Sequence, residues 1–213
     1  MIVAIIQARM SSHRLPNKVL MEINSKPMLW HVINRTMRAK HLEDIVVATT
    51  TKIEDKPITQ LAKSLGVKAY RGSEDDVLDR YYKAATRYDA DPIIRITSDC
   101  PLIDPSIIDR TIEYFFNNAV DYASHAIDGF DVEVFSCEVL AAAWVNAEDK
   151  HDREHVTPFI IRNFKTGYLA YPNPSIHLSV DTEEDLNLVR SIYKRLGNDF
   201  GMQDVLKFME EEE

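Results

Sequence analysis

Apolar runs that alternate with amphipathic segments predict a three-layer αβα fold around a mostly parallel sheet. Three observations carry this. The runs IVAII (2–6), DIVVATT (44–50) and PIIRIT (92–97) stay apolar instead of alternating, the mark of strands buried on both faces. The segments between them have helical spacing, as with Met28, Trp30, Val32, Ile33 and Met37 in 26–40. No linker, repeat or low-complexity stretch divides the 213 residues, so residues 1–213 read as a single domain.

The elements follow in order. Strand 2–6 runs into a polar loop. Helix 26–40 and strand 44–50 come next, then helix 55–66, which Gly66 stops. Strand 67–72, helix 73–89 and strand 92–97 complete the doubly wound half. Beyond helix 104–118 the pattern loosens. Strands 121–125 and 131–136, joined by a turn holding Asp128 and Gly129, read as a β-hairpin insertion near 120–136 placed to supply substrate contacts. Helices 137–148 and 152–163, strands 167–171 and 177–181, helix 182–196 and a short helix at 203–211 close the chain. Ligands in such folds gather at the carboxyl ends of the parallel strands, so chemistry is sought in the segments that follow them.

Composition narrows the function classes. The chain has 34 acidic and 25 basic residues, a net charge of -9, the reverse of a general nucleic-acid binder. Clusters of Arg and Lys are informative against that average. Two cysteines without a CxxC spacing argue against a disulfide framework and point to a reducing compartment, the cytoplasm. No stretch approaches the roughly 18–20 apolar residues of a membrane span. The N-terminus lacks a basic region ahead of its apolar run, so it reads as a strand and not as a signal peptide.

Three segments carry candidate chemistry. QARMSSHRLPNK (7–18) sets Arg9, Arg14 and Lys18 in the loop after the first strand, where backbone N–H groups and cations can hold phosphate. It has neither GxGxxG nor GxxxxGK[ST], and its composition alone also fits a basic surface loop. The missing GxGxxG argues against a nicotinamide dehydrogenase. In RITSDCPLIDP (95–105), Asp99 ends a strand, where it can hold Mg²⁺ or simply form the turn before Pro101. In HLSVDTEEDL (177–186), Thr182 and Asp185 form a capping-box pattern that accounts for the acidic run but not for Asp181. Two strand-end aspartates can converge on one cation.

Taken in order, IIQARMSSHRLPNKVL, YRGSEDDVLDRYYKAA, RITSDCPLIDP, DGFDVEVFS, DREHVTPFI and SVDTEEDLNLVR resemble the spore coat polysaccharide biosynthesis protein F group. That group belongs to the cytidylyltransferases that make CMP-activated acidic sugars. The resemblance runs from residue 2 to about residue 196. It implies a nucleotide-diphospho-sugar transferase fold and a Mg²⁺-dependent transfer of a nucleoside monophosphate from CTP to an acidic sugar or sugar phosphate, with release of pyrophosphate, in surface or spore-coat polysaccharide biosynthesis. A homodimer is also implied. On this resemblance Arg14, Lys18 and Asp99 are catalytic. Gln7, Ala8, Arg9, Ser11, Arg14, Lys18, Arg71, Ser73 and Thr97 contact the nucleotide, and Asp99 and Asp181 ligate Mg²⁺. Asp131, Glu133, Arg153, Glu154 and His155 face the sugar. Ser73 also reads as a helix N-cap with Asp76. The family has glycine where this chain has Ser11, Asn17 and Ser98, and those changes leave open a non-catalytic nucleotide- or sugar-binding relative, a subunit or scaffold in glycan assembly.

The remaining signals are weaker. His151 and His155 are four apart, but the zinc-protease pattern needs Glu after the first His and this chain has Asp152. Cys100 reads as a buried apolar residue with no base fixed beside it. Asp75, Asp76 and Asp79 with Arg80 and Lys83 read as a solvated helix face of i,i+4 pairs.

Overall fold

The computed structural model describes residues 1–173 and 175–212. In chain order its elements are β1 (Val3–Gln7), β2 (Glu22–Ile23), β3 (Lys26–Pro27), α1 (Met28–Thr36), β4 (Asp44–Thr50), α2 (Lys56–Ser64) and β5 (Lys68–Gly72). They continue with α3 (Val77–Arg87), β6 (Ile93–Thr97), α4 (Pro105–Asn118), β7 (Tyr122–His125), β8 (Val132–Phe135) and α5 (Cys137–Asn146). The last are α6 (Lys150–His155), α7 (Pro158–Asn163), β9 (Thr166–Ala170), α8 (Glu183–Leu196) and α9 (Met202–Glu212).

Seven strands form one sheet in the order β5-β4-β1-β6-β8-β7-β9. The four strands of the first half are parallel, with Gln7 level with Ala48 on one side and Thr97 on the other. β8 joins antiparallel to both β6 and β7, and β9 lies parallel to β7. The central strand explains the three layers. Ala4 and Ile6 face a core shared with α1, α2, α4 and α8, whereas Val3 and Ile5 face a second core shared with α3, α5 and α7. Period-2 alternation of apolar side chains therefore supplies both faces at once, which demands helices on both sides.

Five details differ from the sequence expectations. Residues 177–181 are not a strand. Their backbone polar groups are claimed elsewhere: Val180 N–H donates to Asp99 O at 2.8 Å, and the N–H groups of Leu178 and Ser179 donate to the Asp128 carboxylate at 2.8 and 2.6 Å. The helix expected over 152–163 is two helices. Val156 takes φ 72°, and the second helix starts at Pro158, which has no N–H to continue the ladder. The helix expected over 26–40 starts only at Met28, because a small hairpin of β2 and β3 turns through Asn24 and Ser25 at φ 48° and 61°. The helix expected from residue 73 starts at Val77, its N-cap being Asp76, which accepts from Asp79 N–H. The hairpin of β7 and β8 stands inside the main sheet, β8 pairing directly with β6.

Replacing Ile6 with Ala, at a fully buried position of the central strand, removes side-chain volume that rigid neighbours cannot refill. A loss of about 2–5 kcal/mol is expected in urea denaturation.

Candidate active site

The loop after β1 is built by side-chain and backbone bonds that replace a regular element. Ser12 N–H and Asn17 N–H both donate to Met10 O, at 2.9 and 3.0 Å, which folds the loop over itself. Met10 N–H donates to Asp55 Oδ1 at 2.7 Å. Asp55 is 2% exposed, and its other oxygen accepts from the N–H and hydroxyl of Thr50 at the end of β4. Asn17 sits at φ 62°, a left-handed position that Asn tolerates, and opens a 3-10 turn over Lys18–Leu20 that buries Lys18.

Lys18 is where the three segments meet. Its Nζ donates to Asp99 Oδ2 at 3.1 Å, Asp181 Oδ1 at 3.0 Å and Val180 O at 2.6 Å. Arg14 reaches the other oxygen of Asp181 at 2.8 Å. The carboxylates of Asp99 and Asp181, far apart in the chain, thus share one ammonium. Asp181 is fixed from behind, since its N–H and that of Thr182 donate to Asp185 Oδ2 at 2.9 and 2.8 Å, within the capping box of α8. Asp128 holds the 177–180 segment with two backbone N–H groups and the His177 ring at 3.1 Å. Burial alone would raise Asp128, but those donors outweigh it and hold its carboxyl below the ordinary value.

The donor chemistry of this pair suits Mg²⁺, which takes oxygen ligands and keeps several waters. Asp99 Oδ1 meets only the Cys100 thiol, at 3.9 Å, among the described residues. No group of three or more His, Cys, Asp or Glu able to hold a metal occurs among the described residues, so any further ligands would come from water or phosphate.

A cleft of about 310 Å³ opens over the pair. From the first loop, Gln7, Ala8, Arg9, Arg14 and Lys18 line it; Thr97 and Asp99 line it from the end of β6, and Asp181 from the segment before α8. Glu154 and His155 reach it from α6. The other candidates point elsewhere. Ser11 Oγ donates to Glu74 at 2.7 Å. Arg71 donates to the carbonyls of Thr50 and Lys52 at 2.9 and 2.7 Å, and Ser73 Oγ accepts from Asp76 N–H at 3.0 Å. Arg153 braces Asp76 and the Trp144 carbonyl. Asp131 is mostly buried and accepts from Gly129 N–H at 3.0 Å. Glu133 binds Arg95, the Tyr122 hydroxyl at 2.7 Å and Thr157 Oγ1 at 2.8 Å. Of the three residues that the resemblance sets against glycine, Ser11 turns its side chain away to Glu74, Asn17 adopts the left-handed backbone, and Ser98 lines the cleft.

Two arginines that composition did not single out also line the cleft. Arg80 is 2% exposed and packed on the apolar face of α3 with Val77, Tyr81 and Ala84, not on a solvated face. Its i−4 neighbour Asp76 pairs instead with Arg153, and only Lys83 and Asp79 make the expected i,i+4 bridge, at 2.9 Å. Arg95 lies in mid-strand between buried isoleucines and is held by Glu133. An arginine inside an apolar stripe was the available signal for both. Cys100 is buried, and burial together with Asp99 and Asp131 pushes its thiol up, away from nucleophilic use. No helix among the described residues is long and apolar enough to cross a membrane.

A family model described as cytidylyltransferase matches residues 3–213. Spore coat polysaccharide biosynthesis protein SpsF of Bacillus subtilis is 32% identical over 210 residues, covering 92% of this chain and 88% of that protein. A solved cytidylyltransferase from Leptospira borgpetersenii is 32% identical with a TM-score of 0.92, covering 100% of this chain and 95% of that one. CMP:2-keto-3-deoxy-manno-octonic acid synthetase, solved in complex with CTP, shares the fold at a TM-score of 0.74 and 20% identity, covering 91% of this chain and 98% of that one.

Burial, then the charges of Asp128 and Glu133, push the Asp131 carboxyl up to about 7. Its folded value lies above the unfolded value of about 3.9, so the stability it contributes is complete below that value and is lost as pH rises through about 7. Thermal unfolding of wild type and Asp131→Asn is expected to diverge in the variant's favour between about pH 4 and 7.5 and to run parallel above. A constant difference across that range contradicts a buried neutral carboxyl.

Proposed function

This chain belongs to the cytidylyltransferase family, and we propose that it transfers CMP from CTP to an acidic sugar or sugar phosphate with release of pyrophosphate, in a Mg²⁺-dependent reaction of surface polysaccharide assembly. The observation that carries this reading is the meeting of Asp99 and Asp181 under a cleft bordered by Arg9, Arg14 and Lys18. CTP as donor is supported by the family and by the fold neighbour solved with that nucleotide. The polysaccharide role is supported by the likeness to SpsF.

In this reading Arg9, Arg14 and Lys18 bind the triphosphate and offset the charge that builds on the departing pyrophosphate. The acceptor oxygen, a hydroxyl that gives up its proton to solvent or a phosphate oxygen already ionised, forms its bond to the α-phosphorus, the α–β bridging P–O bond breaks, and its electron pair leaves with pyrophosphate. Such a transfer depends on positioning and on preorganised charge more than on covalent help. Asp99 and Asp181 would hold Mg²⁺, which supplies charge neutralisation at phosphate oxygens. Arg80 adds fixed positive charge to the cleft, which suits an acceptor bearing a carboxylate or phosphate. Of the residues assigned to the sugar, Glu154 and His155 lie in reach of it. Two free cysteines fit a cytoplasmic setting, and a homodimer is the assembly we propose.

Pyrophosphate release from CTP, assayed with a panel of nonulosonic acids and sugar phosphates, tests the reading. Turnover is expected with one acidic acceptor class and only with a divalent ion present. Asp99→Ala is expected to lower it at least about 100-fold, the scale of losing one preorganised charge-stabilising contact. Undiminished turnover in that variant would falsify the metal assignment. CTP with Mg²⁺ at about 100 times its Kd is expected to raise stability by roughly 2.7 kcal/mol, against less for UTP, ATP or GTP.

A further inference from the structure

An ammonium carries three hydrogens, and Lys18 has three oxygen acceptors around it: Val180 O at 2.6 Å, Asp181 Oδ1 at 3.0 Å and Asp99 Oδ2 at 3.1 Å. Its side chain is 9% exposed. Every donor is engaged inside the protein, so Lys18 cannot reach a phosphate without releasing one of these oxygens. The remaining oxygen of Asp181 is taken by Arg14, whose own side chain is 67% exposed. Two carboxylates thus face two internal monocations, and their charge is balanced.

This is the arrangement of a filled cation site, the filler being the chain's own ammonium. A Mg²⁺ ion needs oxygens at about 2.0–2.1 Å and cannot join Asp99 to Asp181 while Lys18 and Arg14 hold both oxygens of Asp181 and the facing oxygen of Asp99. We propose that Lys18 and Arg14 are exchangeable internal counter-ions: in the nucleotide-free chain they hold the Asp99–Asp181 pair together, and they yield it to the divalent ion as the triphosphate arrives to take them. This rests on the reading of Asp99 and Asp181 as the metal carboxylates.

The rest of the site tolerates the exchange. Val180 N–H stays bonded to Asp99 O, Asp128 still holds the N–H groups of Leu178 and Ser179, and Asp185 still holds that of Asp181. The two carboxylates therefore keep their places when the ammonium leaves. Metal without nucleotide binds poorly, because the displaced cations lose their partners. Triphosphate supplies new partners, and by linkage each ligand tightens the other by the same factor.

Mn²⁺ binding, followed by electron paramagnetic resonance of the free ion, tests this without turnover. In the absence of nucleotide, Lys18→Met is expected to bind Mn²⁺ at least tenfold tighter than wild type, and adding Asp99→Asn is expected to abolish the gain. Circular dichroism checks folding. Lys18→Gln, which keeps a donor for Val180 O, replaces the Met variant if that one unfolds. Equal Mn²⁺ affinity in wild type and the Lys18 variant overturns the exchange, as does a gain that survives Asp99→Asn. The thermal shift of wild type with CTP and Mg²⁺ separates the two levels. If that shift requires Asp99 while the Lys18 variant gains nothing, the metal reading stands and the exchange falls. If no metal effect depends on Asp99 in any of these proteins, the metal reading falls and takes the exchange with it.

Discussion

The site depends on one buried ammonium. Lys18 binds the first loop, the end of β6 and the segment before α8 through a single nitrogen, and two of its three acceptors are charged. Removing one partner of such a buried group leaves the others desolvated and unpaired, which is costlier than never burying them. The constraint is mutual. Lys18 is buried where two carboxylates and a carbonyl accept its hydrogens, and the cation between the carboxylates offsets their repulsion.

The same logic, in which a side chain stands in for a missing ladder, recurs around the cleft. A buried backbone N–H must find an acceptor. In the loop after β1 the acceptor is Asp55, and in the segment 177–180 it is Asp128 and the backbone of Asp99. Regular strands place the loops side by side, with Gln7, Ala48 and Thr97 level across the sheet. Carboxylates outside the chemistry then fix the irregular backbone that carries Arg14, Lys18 and Asp181. Asp55 and Asp128 are positioning groups in that sense, since they touch the backbone and leave the cleft to others.

The fold was largely legible because burial on both faces leaves a continuous apolar run, and that signal is strong in 2–6, 44–50 and 92–97. The loop cations and Asp99 line the cleft for a similar reason, since they follow the runs 2–6 and 92–97, whereas Asp181 follows a segment that is not a strand. What was not legible depended on three-dimensional claims on backbone groups. HLSVD has the composition of a strand, but Asp128, 49 positions before His177, takes its N–H groups. Arg71 and Ser73 sit beside a strand end as nucleotide contacts would, yet nearby carbonyls and the Asp76 N–H engage them first. Arg80 was hidden by charge bookkeeping: an i,i+4 acid suggested a surface pair, whereas the apolar spacing of Val77, Tyr81 and Ala84 put it inside.

That placement of Arg80 bears on how an acidic protein attracts an acidic ligand. The chain carries a net charge of -9, so its distant field repels a nucleotide. Within the cleft the balance is different. Asp99 and Asp181 are matched by Lys18 and Arg14, and Glu133 matches Arg95. Arg9 and Arg80 have no carboxylate partner among the described residues, and both line the cleft. Against them stands Glu154, which also lines the cleft, so internal pairing leaves positive charge over at the place where the first loop and α3 meet. A triphosphate brings more negative charge than one divalent ion cancels. In the exchange proposed above, the cations freed by that ion would face the remainder, so the pairing that balances the two carboxylates would also supply the charge that the bound state needs.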